Sequence, residues 1–252
     1  MEETEYIVHA DDFGYSAVVN QSIDECFMRN WICETSLMVN MPGAEEAIAL
    51  ATAHGYLDRV GIHVNLTEGC PLSKEILECP RFCSKEGMFT VDFRRSVARR
   101  FILSGKEIIA VRAELEAQLR RFLDLGGKMK HIDSHHHVHT DWSVYRILKP
   151  LAIKFGFCSM RLSADLHAVS SGKKIYKTIF NHGLRRSFQT TAHFDGVCAE
   201  LLAGPGGSTE VMVHPQIYNG ILCDTMRSFS CVINDLRAVK RSYIRNWRDG
   251  CS

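Results

Sequence analysis

Residues 129–142 read M-K-H-I-D-S-H-H-H-V-H-T-D-W. Five histidines (His131, His135, His136, His137, His139) and two aspartates (Asp133, Asp141) fall within this span. Imidazole is a costly core filler and a good metal ligand or proton carrier, so this density points to metal or proton chemistry. The preceding Leu125-Gly126-Gly127-Lys128 reads as a helix end and a turn, and 129–134 as a short strand. On such a strand Asp133, His135, His137 and His139 share one parity and could converge at its end. A rival reading sets His135 and His139 at i and i+4 on one helix face, as in zinc-binding helices. The upstream glycines and the missing N-cap pattern favour strand and loop.

Outward from this stretch, apolar runs alternate with amphipathic ones. Tyr6 to Ala10 is a buried strand that runs into Asp11-Asp12-Phe13-Gly14. Ser16 is placed to cap a helix over 17–29, with Val18, Val19, Ile23 and Phe27 on its apolar face. Residues 34–40 and 59–66 read as buried strands around an alanine-rich helix over 44–54. Residues 70–92 form a long irregular insertion with Pro71, Pro80 and Gly87, suited to a lid or substrate wall and equally to an inert excursion. Helices are expected over 91–104, 107–125 and 142–155, and a strand over 159–163. The basic stretch 164–195 carries a weak pattern, with a helix near 175–183. Helix over 198–203, strand over 209–214 and a closing helix over 231–244 complete the reading. Such alternation implies a parallel sheet. About six to seven strands without a Gly-rich phosphate loop favour an irregular (β/α) barrel, TIM-barrel-like, over a Rossmann sheet. The 252 residues are read as one α/β domain.

Apolar content of 46% and charged content of 23% fit an ordinary globular chain. A net charge of +1 supplies no field for nucleic acid or anionic membrane, so neither is expected as a partner. The run from Arg94-Arg95 to Arg99-Arg100 is explained at least as well by a solvated helix face. No stretch approaches the roughly 20 apolar residues of a membrane span. The acidic Met-Glu-Glu-Thr-Glu start has no apolar run, so no signal peptide is expected. Ten cysteines without a C-x-x-C pair read as free thiols in a reducing cytoplasm.

Polar chemistry gathers where the strands end: Asp11-Asp12, Asn40, His63, His135 and His214. Barrels and open α/β sheets both bind ligands at the C-terminal ends of their strands. One carboxylate and two imidazoles suit a divalent ion, and Asp12, His63 and His135 are the natural set. Successive strand residues face opposite ways, so Asp11 and Asp12 are expected to divide the work, one holding the metal and one taking a proton from its water. His214 is placed to protonate a leaving group, and Arg161 to fix a catalytic carboxylate or bind a substrate oxygen. Each has a plain structural alternative: a turn for the aspartates, a core histidine, a strand end, a structural ion pair.

These residues stand in H-A-D-D-F-G-Y-S (9–16), V-G-I-H-V-N-L-T-E-G (60–69), H-I-D-S-H-H-H-V-H (131–139) and E-V-M-V-H-P (210–215), with T-T-A-H-F-D-G (190–196) a weaker fifth. In order and spacing the set resembles the YdjC-like carbohydrate deacetylases, which include chitooligosaccharide deacetylases. The resemblance implies a distorted (β/α) barrel, one divalent metal such as Mg2+ or Zn2+, and hydrolysis of an N-acetyl group from a sugar. It implies Asp12, His63 and His135 as ligands, Asp11 as base and His214 as acid, with a looser match for Arg161. A water activated on the metal would be the nucleophile, and acetate the product. It also implies a final strand, for which the tail S-Y-I-R-N-W-R-D-G-C-S leaves little room. Two rivals stay open. One is a metal-dependent hydrolase of another amide or of a phosphoester, gripping phosphate through Arg161, Lys173 or Lys174. The other is a carbohydrate-binding protein without turnover. A small carbohydrate is the expected partner, and a homodimer is left open.

Overall fold

A computed structural model of the chain describes residues 4–167, 169–224, 227–238 and 242–244. At its centre stand seven parallel strands: β1 (Thr4–Phe13), β2 (Glu34–Leu37), β3 (Val60–Val64), β4 (His131–Ser134), β5 (Ser159–Met160), β6 (His193–Gly196) and β7 (Gly207–Val213). They pair in the order β5-β4-β3-β2-β1-β7-β6. β1 therefore lies between β2 and β7, so distant parts of the chain meet along it. The sheet curls until one parallel bridge, Ser159 to Gln189, joins β5 to the segment entering β6. The architecture is the irregular α/β barrel that the alternation pattern predicts.

Around the strands run α1 (Ala17–Met28), α2 (Ala44–Ala53), α3 (Lys74–Leu77), α4 (Val97–Phe101), α5 (Gly105–Asp124), α6 (Trp142–Lys154), α7 (Ser171–Arg185), α8 (Ala199–Leu202) and α9 (Phe229–Ala238). Local chemistry sets their ends. Ser16 caps α1 by accepting from the Val19 amide, and Ser104 with Glu107 forms a reciprocal capping box on α5. On α5, Val111, Leu115, Leu119 and Phe122 recur at helical spacing and are buried.

The two faces of the strands differ in kind. Tyr6, Val8, Ala10, Ile62, Val64, Ile132, Val211 and Val213 share one apolar cluster with Ile23, Phe27, Leu115 and Leu148 of the helices. Residues of the other parity fill the lumen with charge: His9, Asp11, Glu34, His63, His131, Asp133, Arg161 and Glu210 are all buried. Parallel strands covered on one side by helices bury both faces, so polar residues inside must satisfy one another.

Several expectations are corrected. Residues 91–104 do not form one helix: a short turn over Val91–Arg94 is followed by α4. The weak stretch before 196 holds a real strand, β6. After His214 comes a small antiparallel sheet of β8 (Pro215–Tyr218), β9 (Ile221–Asp224) and β10 (Arg227–Ser228), which the sequence reading lacked. The closing helix covers Phe229–Ala238, residues 239–241 lie outside the described ones, and β11 (Ser242–Ile244) pairs in parallel with Thr4–Tyr6, so the expected helix does not extend to 244. The short tail thus supplies a last strand after all, because three residues suffice for the open half of β1. Cys158 is disulfide-bonded, against the free-thiol reading. Cys251 lies outside the described residues. The insertion over 70–92 packs Ile76, Phe82 and Phe89 into the core. No helix among the described residues is long and apolar enough to cross a membrane.

Candidate metal centre

The site starts at an irregularity in β1. Its register with β2 shifts between Ala10 and Phe13, and Asp12 adopts φ 69°. Aspartate tolerates this left-handed conformation better than most residues, and bulges often re-aim side chains beside active sites. The simple alternation argument for the two aspartates therefore fails in its premise. Asp11 enters the lumen and Asp12 stands at the rim, yet both approach His63.

Two imidazoles converge on one oxygen of Asp12. His63 Nε2 stands 3.2 Å from Asp12 Oδ1, and His135 Nδ1 stands 2.8 Å from the same atom. The three donor atoms lie within 4.8 Å of one another. This donor set, one carboxylate oxygen and two imidazole nitrogens, fits a divalent ion of the zinc or magnesium kind. The centre opens outward, since the Asp12 side chain keeps 19% of its exposure while His63 keeps 1%. Burial would raise the Asp12 pKa, but the hydrogen bonds from His135 and His63 override it and hold the carboxyl below its usual range.

His63 is held from behind. Its Nδ1 donates to Asp133 Oδ1 at 2.8 Å, which turns Nε2 toward Asp12. Asp133 is fully buried and also accepts from Ser36 Oγ at 2.9 Å and pairs with Arg161 Nη2 at 2.8 Å. Burial opposes charge on His63, yet Asp133 and Asp12 outweigh it and push its pKa up to about 10. Carboxylates behind metal-ligating histidines fix the tautomer and ring orientation in this way.

Asp11 and Arg161 form a second unit just below. The Arg161 guanidinium donates to both Asp11 oxygens, Nη1 to Oδ2 at 2.8 Å and Nη2 to Oδ1 at 2.7 Å. Its Nε donates to Glu210 at 2.6 Å. Burial would raise the Asp11 pKa, and the Arg161 charge reverses this. His214 follows β7, half-exposed, with Nε2 4.0 Å from Asp11 Oδ2. Of the two roles considered for Arg161, fixing a carboxylate is the one its geometry serves. At 1% exposure and with three acidic partners, it is unavailable to a substrate phosphate.

The histidine run leaves the strand in a tight turn over His135–Thr140, with His136 at φ 51° and His137 at φ 55°. Both the shared parity and the i, i+4 helix face are thereby overturned for His139. Its Nδ1 pairs with Ser134 Oγ at 2.5 Å and its Nε2 reaches the Arg161 carbonyl at 3.1 Å, beneath the site. Burial pushes the His139 pKa down to about 3, and burial with the Arg161 charge takes His137 to about 4. Arg94 clasps the turn, donating to the His136 carbonyl and pairing with Asp141 at 2.8 Å, while Arg100 reaches Asp141 at 2.5 Å. The basic run thus has partners on the motif itself.

Sequence reasoning assigned no role to Glu68 or Arg94, and placed Asp133 only by its parity with His135. Glu68 Oε2 lies 2.8 Å from His135 Nε2, and Tyr15 donates to Glu68 Oε1 at 2.7 Å. Glu68 stands inside a matched stretch, and Asp133 lies two residues before His135; those were the only signals available.

The family model described as YdjC-like protein matches residues 5–247. A carbohydrate deacetylase of Geobacillus stearothermophilus is 36% identical over 210 residues, 83% of this chain and 78% of the relative. One from Danio rerio is 31% identical over 94% of this chain and 70% of its own length. Among solved structures, a protein of Enterococcus faecalis assigned provisionally to cellobiose-phosphate cleavage superposes with a TM-score of 0.65 at 21% identity, covering 86% of this chain and 83% of the other, which speaks to the fold alone. The strand-end constellation and these matches together make the chain a member of the YdjC-like family.

Proposed function

We propose that this chain is a metal-dependent hydrolase that removes the N-acetyl group from an N-acetylated sugar or short oligosaccharide, releasing acetate. The observation that carries the reading is the approach of His63 Nε2 and His135 Nδ1 to one oxygen of Asp12, with Asp11 and His214 alongside. The name carbohydrate deacetylase borne by the curated relatives supports it.

Asp12, His63 and His135 would hold the ion, Zn2+ or Mg2+. When bound, it supplies Lewis acidity that polarises an acyl oxygen and makes water a nucleophile near neutral pH. Asp11 takes the proton as water adds to the acetamide carbon, and Arg161 keeps that carboxylate ionised and oriented until then. His214, half-exposed across from Asp11, gives a proton to the sugar nitrogen as the C–N bond breaks, leaving acetate and a free amine. A binding protein without turnover needs neither an acid nor a base in this place. The phosphoester reading loses Arg161 as its anion grip. Eight described cysteines are free, which favours a reducing, cytoplasmic setting, while the disulfide at Cys158 weighs against it.

Acetate release from N-acetylglucosamine oligomers, with element analysis of the purified protein, tests the reading. Asp12→Ala and His135→Ala are expected to lose both the metal and acetate release. Full activity in either, or phosphate release from a phosphoester panel without acetate release, would overturn it.

A further inference from the structure

We propose that Glu68 is the positioning residue for the rim histidine: it grips His135 Nε2 so that Nδ1 faces Asp12. The inference rests on the metal centre proposed above. Each histidine of that centre has one nitrogen on Asp12 and the other on a second carboxylate. For His63 the pair is Nε2 to Asp12 and Nδ1 to Asp133. For His135 the order is reversed, Nδ1 to Asp12 and Nε2 to Glu68, both at 2.8 Å. The two rings are thus turned oppositely about one oxygen, and a carboxylate behind each fixes the nitrogen that it presents.

The loop that carries Glu68 is built to hold it still. Asn65, fully buried at the end of β3, accepts from the Thr67 and Glu68 amides at 3.0 and 3.1 Å and donates to the Glu68 carbonyl at 2.6 Å. Asn40, beyond β2, donates to the Glu68 carbonyl at 3.1 Å and the Cys70 carbonyl at 3.0 Å. Gly69 turns the chain with φ 74°, where a Cβ would lie 2.4 Å from Met41 Sδ. Tyr15, three residues after Asp12, fixes the outer Glu68 oxygen. Two asparagines and one glycine therefore fix the Glu68 backbone, and one tyrosine fixes its carboxylate, whose inner oxygen has His135 as its partner. Glu68 retains 38% exposure, so solvent alone would not hold it in one rotamer.

The test is Co2+ binding to the full-length chain, followed by its visible spectrum and by competition with a chelator, with kcat and KM on an N-acetylated sugar. Glu68→Ala is expected to weaken Co2+ binding about 10- to 100-fold and to alter the spectrum, with kcat falling and KM little changed. Glu68→Gln, whose amide oxygen still accepts from Nε2–H, should lose less and guards against a folding defect. Tyr15→Phe should lose a few-fold, and adding it to Glu68→Ala should cost nothing more, because Tyr15 acts through Glu68. Unchanged Co2+ affinity in Glu68→Ala would overturn the inference. So would a raised KM with intact metal binding, which would make Glu68 a substrate contact, or fully additive losses in the double variant. If the wild type binds Co2+ and Asp12→Ala does not, a normal Glu68→Ala sinks this inference alone. If the wild type binds no metal, the proposed centre falls and this inference falls with it.

Discussion

His63 and His135 reach the same oxygen from unlike surroundings. His63 belongs to the lumen: Asp133 behind it is fully buried, and Ser36, His9 and Arg161 crowd the same carboxylate. His135 belongs to the rim, backed by a part-exposed glutamate on a loop. A buried carboxylate is expensive to desolvate and must be fully paired, so it is tied into the fold itself. A rim carboxylate is solvated and adjustable, and can serve the site without carrying the barrel. The inner half should therefore couple function to stability, and the outer half should not.

The sharpest way to break this comparison is Arg161→Met. Removing the guanidinium strands Asp11, Asp133 and Glu210 in the lumen, so a loss on the order of 3–5 kcal/mol is expected. Urea unfolding measures it; a loss below about 1 kcal/mol would mean that the lumen charges are compensated in some other way. Asp133→Asn comes next. It should weaken metal binding roughly 100-fold, at the upper end of such effects, and lower the unfolding midpoint as well. Glu68→Gln should leave that midpoint unchanged, and equal midpoint shifts in the two variants would erase the distinction between lumen and rim.

A pH series sharpens the inner half further. His139 has a folded pKa of about 3 against an ordinary 6.5, so between these values the unfolded chain binds more protons. Stability is full above 6.5 and falls as pH drops toward 3, by about 1.4 kcal/mol per pH unit for this one group. Between about pH 5.5 and 6.5, above the ordinary carboxylate range of about 3.9 to 4.3, His139→Asn should flatten the slope of stability against pH. An unchanged slope would show that His139 is not held neutral. The smallest effect is expected from Ser36→Ala, which deletes one hydrogen bond to Asp133, at about 1 kcal/mol in the same unfolding assay.

The strand runs were legible because a parallel strand buried on both faces is written as a compact apolar word, as in Val60–Val64. Strand β6 was not, since His193-Phe194-Asp195-Gly196 is short and holds a single apolar side chain, and only pairing with β7 makes it a strand. Alternation succeeded for Asp133 and His63 and failed at Asp12, where a bulge intervenes. It failed again at His136 and His137, whose left-handed backbones end the parity. Such breaks depend on neighbours across the sheet, which a local pattern does not contain.

The chain by itself fixed the alternation of elements, the barrel class and the identity of the strand-end groups, because periodicity and residue type are local properties. Tertiary structure alone decided that Asp11 is clasped by Arg161, that Asp133 and Glu68 stand behind the two histidines, and that His139 turns away from the site. Those facts arise from contacts between residues up to 150 positions apart, and the closure of the sheet, with its one bulge and one tight turn, sets their distances.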